Sequence, residues 1–178
     1  MNQDFEKVLL SEEEISKKVG EIAEQINRDY AGRDIFLIAI LKGSFIFMGD
    51  LAKRLERPTY IDFMEVSSYG SAAMSSGDVK IIKDLRCSIF DKDVLIVEDI
   101  IDSGKTLNKL MKLLSARKPK SLKLCSLLTK PDRREVEIDI DYLGFSIPDE
   151  FVVGYGLDYN ELYRNLPYIA VLKRSIYE

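Results

Sequence analysis

The chain contains no histidine among its 178 residues, which excludes Ser-His-Asp catalysis, imidazole metal ligands and the usual neutral-pH general base together. Acid–base work must then fall to carboxylates, lysines or tyrosines. Cysteine is nearly as scarce: only Cys87 and Cys125 occur, 125 − 87 = 38 positions apart, too few for a disulfide framework or a zinc knuckle. They read as reduced thiols. No stretch reaches the roughly 18 uncharged apolar residues that a membrane span needs, and Met1 to Leu10 lacks the basic start and apolar run of a signal peptide. The expectation is a soluble, cytoplasmic protein with no membrane partner. Positive charge is not in excess either. With 26 Lys+Arg against 30 Asp+Glu the net charge is −4, so no broad basic surface for nucleic acid is expected.

What is present is enough apolar sequence, 46% of residues, to bury one core, and the length suits a single domain over residues 1–178. Ser11-Glu12-Glu13-Glu14 is a capping box, and Ile15, Val19, Ile22, Ala23 and Ile26 follow at helical spacing until Gly32. Ile35 to Leu41 (IFLIAIL) is a continuous apolar run too short for an ordinary helix, so it reads as a strand buried on both faces. Phe45, Met48, Leu51, Ala52 and Leu55 predict a helix ended by Pro58. Tyr60 to Val66 and Val79 to Leu85 predict strands, Asp93 to Val97 a second buried strand, Leu107 to Leu114 a helix and Leu122 to Leu128 a third buried strand. Strands alternating with helices predict an α/β fold, a mostly parallel sheet flanked by helices with ligands at the carboxyl ends of its strands. Short strands at Tyr142 to Phe145, Phe151 to Tyr155 and Ile169 to Leu172 are expected to fold back over that sheet rather than extend it.

The chemistry concentrates in Val94 to Leu107, VLIVEDIIDSGKTL, where a buried strand runs into three acids, a Ser-Gly-Lys-Thr turn and a helix. Gly104 lets backbone approach a ligand closely, and the free amides at the start of the helix form an anion site favoured by its dipole. A phosphate belongs there. Gly104-Lys105-Thr106 also resembles the end of a nucleotide P-loop, but that motif needs glycine at position 99, which is Asp. A carboxylate at that place would repel the phosphates that bare amides should cradle. An ordinary strand-to-helix turn with solvated acids is the plainer reading. It leaves Glu98, Asp99 and Asp102 clustered at a strand end without a purpose.

Glu98 to Thr106 (EDIIDSGKT) resembles the phosphoribosyl diphosphate motif of type I phosphoribosyltransferases, in particular their hypoxanthine-guanine branch. Leu41-Lys42-Gly43-Ser44 is similar to that branch's pyrophosphate loop, Ser68-Tyr69-Gly70 to the start of its lid, and Phe151 to Asn160 with Arg164 to its purine-binding hood. Ser103 departs from the more usual Thr but keeps a hydroxyl; Gly156 stands where Ala is often found, a change expected to have no consequence.

The resemblance implies the type I fold, with a small C-terminal hood formed mainly by residues 140–178. It implies transfer of a phosphoribosyl group from phosphoribosyl diphosphate to hypoxanthine, and also guanine, with release of pyrophosphate. Glu98 and Asp99 would hold the ribose hydroxyls and Mg²⁺, Asp102 would exchange a proton with the purine's imidazole nitrogen, and Ser103, Gly104, Lys105 and Thr106 would grip the 5′-phosphate. Lys105 can equally be a solvated helix-start lysine whose amide alone matters. Lys42, Gly43, Ser68, Tyr69 and Arg164 would bind pyrophosphate, with a cis bond at Leu41-Lys42. Lys130 would donate to the 6-oxo group, Phe151 would stack on the base, the Val152 backbone would read its edge, and Asp158 beside the purine would ligate a second Mg²⁺. Ser67 to Asp78 (SSYGSAAMSSGD), uncharged before Asp78 and unable to pack a core, would be a mobile lid that keeps water from a cation-like transition state. The family further implies homodimers or homotetramers. The alternative is a regulator that keeps this fold and binds nucleotide and RNA or DNA, for which Asp102, Lys130 and the acidic charge are the wrong signs.

Overall fold

In the computed structural model, which describes residues 3–68 and 79–178, Ile35 to Leu41 forms a central strand because its alternate side chains face two separate cores. We label the elements in chain order as β1 (Phe5–Leu10), α1 (Glu12–Asp29), β2 (Ile35–Leu41), α2 (Phe45–Ala52), β3 (Thr59–Ser68) and β4 (Val79–Lys83). They continue as β5 (Asp93–Ile101), α3 (Lys105–Ser115), β6 (Ser121–Thr129), β7 (Tyr142–Ser146), β8 (Val152–Val153), β9 (Ile169–Leu172) and α4 (Arg174–Tyr177). The main sheet has the order β4-β3-β2-β5-β6-β7, all parallel but β4. Leu37, Ala39, Leu95 and Val97 face α1 and α2 through one core, while Ile38, Ile40, Val94 and Ile96 face α3 through the other. No helix among the described residues is long and apolar enough to cross a membrane.

The capping box at Ser11 and Glu14 is present in full, and the expected apolar stripe of α1 is buried. α2 is shorter than its pattern. After Ala52 the chain tightens into turns in which Arg54 and Leu55 donate to carbonyls three residues back, so Leu55 still reaches the core without being helical. β5 runs four residues beyond Val97, because Glu98, Ile100 and Ile101 continue the ladder to Ser126, Leu128 and Thr129 of β6. Glu98 and Asp99 therefore sit on the strand, while Asp102 begins the turn after it.

The C-terminal segment divides in two. β7 extends the main sheet, contrary to the expectation that the tail only folds back, since Tyr142 to Ser146 pairs in parallel with β6 and the Asp141 carboxylate accepts from the Leu124 amide. β8 and β9 do leave the sheet, and they pair with β1 from the opposite end of the chain to make a second, antiparallel sheet in the order β1-β9-β8. The hood thus includes Phe5–Leu10, which sequence patterning misses, and loses Tyr142–Ser146. The strand expected over Phe151 to Tyr155 contracts to Val152–Val153, because positive φ at Gly154 (102°), Tyr155 (50°) and Gly156 (102°) ends extended backbone. The Tyr155 hydroxyl donates to Asp50 of α2 at 2.7 Å, tying this turn to the sheet's flank.

Candidate active site

β2 and β5 lie side by side at the centre of the sheet while the chain runs outward from them in opposite directions. In open α/β sheets a crevice forms at the carboxyl ends of such a pair. Here it is a cavity of about 260 Å³ lined by Leu41, Glu98, Ile101 to Gly104 and Thr106, among others.

Glu98 lines this cavity, and Asp99 follows Glu98 near the end of β5. Burial, reinforced by the neighbouring Asp99 charge and a hydrogen bond with it, pushes the Glu98 carboxyl well above its ordinary range. Burial raises Asp99 as well, opposed by the Ile100 amide, which donates to its Oδ1 at 2.9 Å, and by the Arg164 charge. Oε2 of Glu98 is out of solvent with no partner among the described residues.

Two backbone segments stack over Asp99, the Gly43 loop against its carboxyl and the Gly156 turn against the Gly43 loop. A Cβ on Gly43 would lie 1.6 Å from Asp99 Oδ2, and a Cβ on Gly156 would lie 1.9 Å from the Gly43 carbonyl oxygen. Both positions must therefore be glycine. At Gly156 the cause is a contact between sequence-distant backbones that local pattern cannot reveal. The Leu41-Lys42 bond is cis. The Ser44 hydroxyl is buried and donates to the Ile40 carbonyl at 2.5 Å, bracing the loop from below.

Arg164 reaches the same place from the hood. Its Nη1 donates to the Gly156 carbonyl at 2.8 Å, its Nη2 pairs with Asp158 Oδ1 at 2.9 Å and Glu161 Oε2 at 3.4 Å, and its Nε is buried without a partner among the described residues. Lys42 Nζ pairs with the same Glu161 oxygen at 3.1 Å.

The turn after β5 carries the remaining groups. Gly104 caps α3 with φ of +80°, a conformation glycine adopts without strain, and the Ser103 carbonyl accepts from the Glu135 and Val136 amides at 3.0 and 3.2 Å. The turn is thereby held with Ser103, Lys105 and Thr106 at the start of the helix. The Lys105 amide donates to Ser103 Oγ at 3.4 Å, whereas its ammonium pairs with exposed Glu135. Asp102 faces solvent and lies 3.7 Å from Lys130 Nζ, which is almost fully buried and has Asp149 at 3.8 Å on its other side. The Lys130 amide donates to the Ile101 carbonyl at 3.0 Å, locking the end of β6 to the end of β5. Phe151 is partly exposed at the rim. Its ring stacks on Tyr177 of α4 with centroids 4.7 Å apart and meets Tyr159 edge-on at 5.7 Å. Val152 is buried in β8.

The fold thus gathers the sequence-derived candidates into adjoining groups: Gly43 and the Arg164 charge beside the Glu98 and Asp99 pair, Ser103 to Thr106 at the helix start, and Asp102 with Lys130 after the ends of β5 and β6. Asp158 is engaged by Arg164, and among the described residues no three acids converge as a metal site by themselves. Tyr69 and most of the expected lid lie outside the described residues, and of Ser68 only the backbone is described, ending β3. Asp149, Glu161 and Glu135 escaped the sequence reading. Glu161 alone had a usable signal, an acid three residues before Arg164 inside the hood motif.

A model of the phosphoribosyl transferase domain matches residues 7–160. The hypoxanthine-guanine phosphoribosyltransferase of Bacillus subtilis is 54% identical over 178 residues, covering 100% of this chain and 99% of that protein. The bifunctional protein TilS/HprT of Listeria monocytogenes is also 54% identical, over 177 residues, but the chain spans only 27% of that relative's length. A crystal structure of a hypoxanthine phosphoribosyltransferase from Staphylococcus aureus superposes with a TM-score of 0.94 at 52% identity, covering 98% of this chain and 95% of that one.

Proposed function

The chain belongs to the phosphoribosyltransferase family, and from that premise we propose that it is a purine-salvage enzyme. It moves the phosphoribosyl group of phosphoribosyl diphosphate to hypoxanthine, and to guanine, releasing pyrophosphate. The observation that carries the base specificity is the pairing of Asp102 with buried Lys130 at 3.7 Å beside the phosphate-type turn. A carboxylate suited to take the proton from an imidazole nitrogen and an ammonium suited to donate to a 6-oxo oxygen stand within the span of one purine ring. Adenine, with an amino group at that position, offers Lys130 no acceptor.

The remaining roles follow from position. The amides and hydroxyls of Ser103, Gly104, Lys105 and Thr106 bind the 5′-phosphate, with the Lys105 backbone rather than its paired side chain as the contact. The Gly43 loop and Arg164, with its unpartnered buried Nε, bind pyrophosphate. Phe151, backed by Tyr177, offers its ring to the base, and the neighbouring Val152 backbone reads the edge. Glu98 and Asp99 hold the ribose hydroxyls and favour the positive charge that develops at the anomeric carbon.

The donor set fits Mg²⁺: Glu98 has a buried oxygen lacking a partner among the described residues, Asp99 adjoins it and Asp158, paired with Arg164, offers hard oxygens. When bound, Mg²⁺ supplies charge neutralisation for the leaving pyrophosphate. Among the described residues too few acids converge for a protein-only cage, which suits a cation that shares its shell with water and substrate oxygens. A cytoplasmic homodimer or homotetramer belongs to the same proposal. The regulator alternative gains no support from relatives whose names are those of the transferase.

The test is a spectrophotometric assay of hypoxanthine, guanine, xanthine and adenine with phosphoribosyl diphosphate and Mg²⁺. Hypoxanthine and guanine should be converted and adenine should not. Asp102→Asn should lower turnover by about 10²-fold with near-normal phosphoribosyl diphosphate binding. Turnover with adenine comparable to that with hypoxanthine would defeat the specificity reading.

A further inference from the structure

Residues 158–164 of the hood contain an unusual concentration of left-handed backbone. Asn160, Glu161 and Tyr163 have φ of 49°, 63° and 75°. Asparagine tolerates this region, but glutamate and tyrosine adopt it at a cost, and such conformations persist where surrounding structure imposes them and cluster at functional sites. What imposes this one is visible. The Glu161 amide donates to Asp158 Oδ2 at 2.9 Å, and Tyr159 and Leu162 exchange backbone hydrogen bonds at 3.2 and 3.0 Å.

The consequence is the placement of the Glu161 carboxylate. Its Oε2 lies 3.1 Å from Lys42 Nζ and 3.4 Å from Arg164 Nη2, so one anionic oxygen bridges a cation on the Gly43 loop and a cation on the hood. Those are the two side-chain cations at the place assigned above to pyrophosphate. Asp158 occupies Arg164 Nη2 from the other side, and the Gly156 carbonyl occupies Nη1. A polyphosphate arriving there meets cations already neutralised by the protein's own carboxylates.

We propose that Glu161 is a substrate-displaced latch: its carboxylate stands in for pyrophosphate between Lys42 and Arg164, and phosphoribosyl diphosphate or free pyrophosphate must displace it to bind. This deepens the reading of that site and rests on it. The displacement is feasible because the Glu161 side chain is 64% exposed and can turn into solvent while its backbone stays fixed. Each exposed ion pair of this kind is worth a fraction of a tenfold change in affinity, so the latch tunes binding and does not block it. It also joins the loop and hood in the absence of ligand, which keeps the cations spaced for an anion of that size.

The experiment is isothermal titration of magnesium pyrophosphate into the full chain and into Glu161→Gln, with steady-state kinetics on both. Removing the competing charge should lower the Kd for pyrophosphate and the KM for phosphoribosyl diphosphate by about threefold, leaving kcat and the KM for hypoxanthine unchanged. The gain should shrink as ionic strength rises, because salt screens the displaced pairs. Introduced into a Lys42→Met background, Glu161→Gln should give a smaller gain. A merely structural glutamate would not tighten anion binding on removal. Equal or weaker pyrophosphate binding by Glu161→Gln, with the unaltered chain binding normally, overturns the latch alone. Failure of the unaltered chain to bind magnesium pyrophosphate overturns the site assignment, and the latch with it.

Discussion

A methyl group at position 43 would land 1.6 Å from Asp99 Oδ2 and 2.6 Å from its Cγ. Ordinary contact begins near 3.4 Å, so about 3.4 − 1.6 = 1.8 Å must be found. Asp99 cannot yield it freely, since its Oδ1 accepts the Ile100 amide at 2.9 Å and its carboxyl is tied to Glu98. The loop cannot yield it freely either, because its carbonyl already lies against Gly156 closely enough to forbid a Cβ there. Gly43→Ala should therefore shift the pyrophosphate loop or turn Asp99 away. A misplacement of about 1 Å at a reacting centre costs about 10²-fold in rate, so a loss of at least about 10²-fold in kcat/KM for phosphoribosyl diphosphate is expected. Overpacking should also destabilise the protein by about 1–3 kcal/mol, lowering Tm by about 2–12 °C. Steady-state formation of the nucleotide and thermal denaturation measure the two effects. Gly20→Ala is the control: it makes the same chemical change in the middle of α1 with nothing within 4 Å, and it should stabilise by about 0.5–1 kcal/mol while activity is unchanged. Wild-type kcat/KM in Gly43→Ala would refute the close approach of the loop and the acidic pair.

Lys130→Ala should lower kcat/KM for hypoxanthine and guanine together by about 10–100-fold, since a charge-assisted hydrogen bond is worth about 1.5–3 kcal/mol; an unchanged value would remove Lys130 from recognition of the 6-oxo group. Glu98 titrates higher in the folded chain than its ordinary 4.5, so as pH rises past that value the unfolded chain ionises first and folding loses stability until the folded group ionises too. Glu98→Gln removes that liability. Its stability advantage over the unaltered chain, from denaturant titrations without metal, should grow as pH climbs above 4.5 toward neutrality. A difference independent of pH would show that the Glu98 carboxyl is not desolvated.

Much of this architecture is written locally. The capping box of α1 forms between sequence neighbours, and the buried strand of Ile35 to Leu41 and the Ser103-Gly104-Lys105-Thr106 turn are signalled by a local apolar run and by one glycine. They arise from short-range hydrogen bonds, side-chain periodicity and the φ freedom of one glycine, so the residues themselves announce them. The same is true of the acid, turn and helix unit that points to a phosphate. Other features exist only because distant segments meet. β1 is a strand because β9, more than 150 residues later, supplies its ladder, with Phe5 opposite Leu172. β7 joins the main sheet because it pairs in parallel with β6, whereas β8 and β9 pair with each other and with β1. Gly156 must be glycine because Gly43 lies against it, and Glu161 acquires a purpose only when Lys42 and Arg164 arrive on either side. Sequence by itself determined which groups could do the chemistry. Only the tertiary structure decided their burial, their spacing and which charge faces which, because desolvation and Coulomb interactions depend on distances through space that no local pattern encodes.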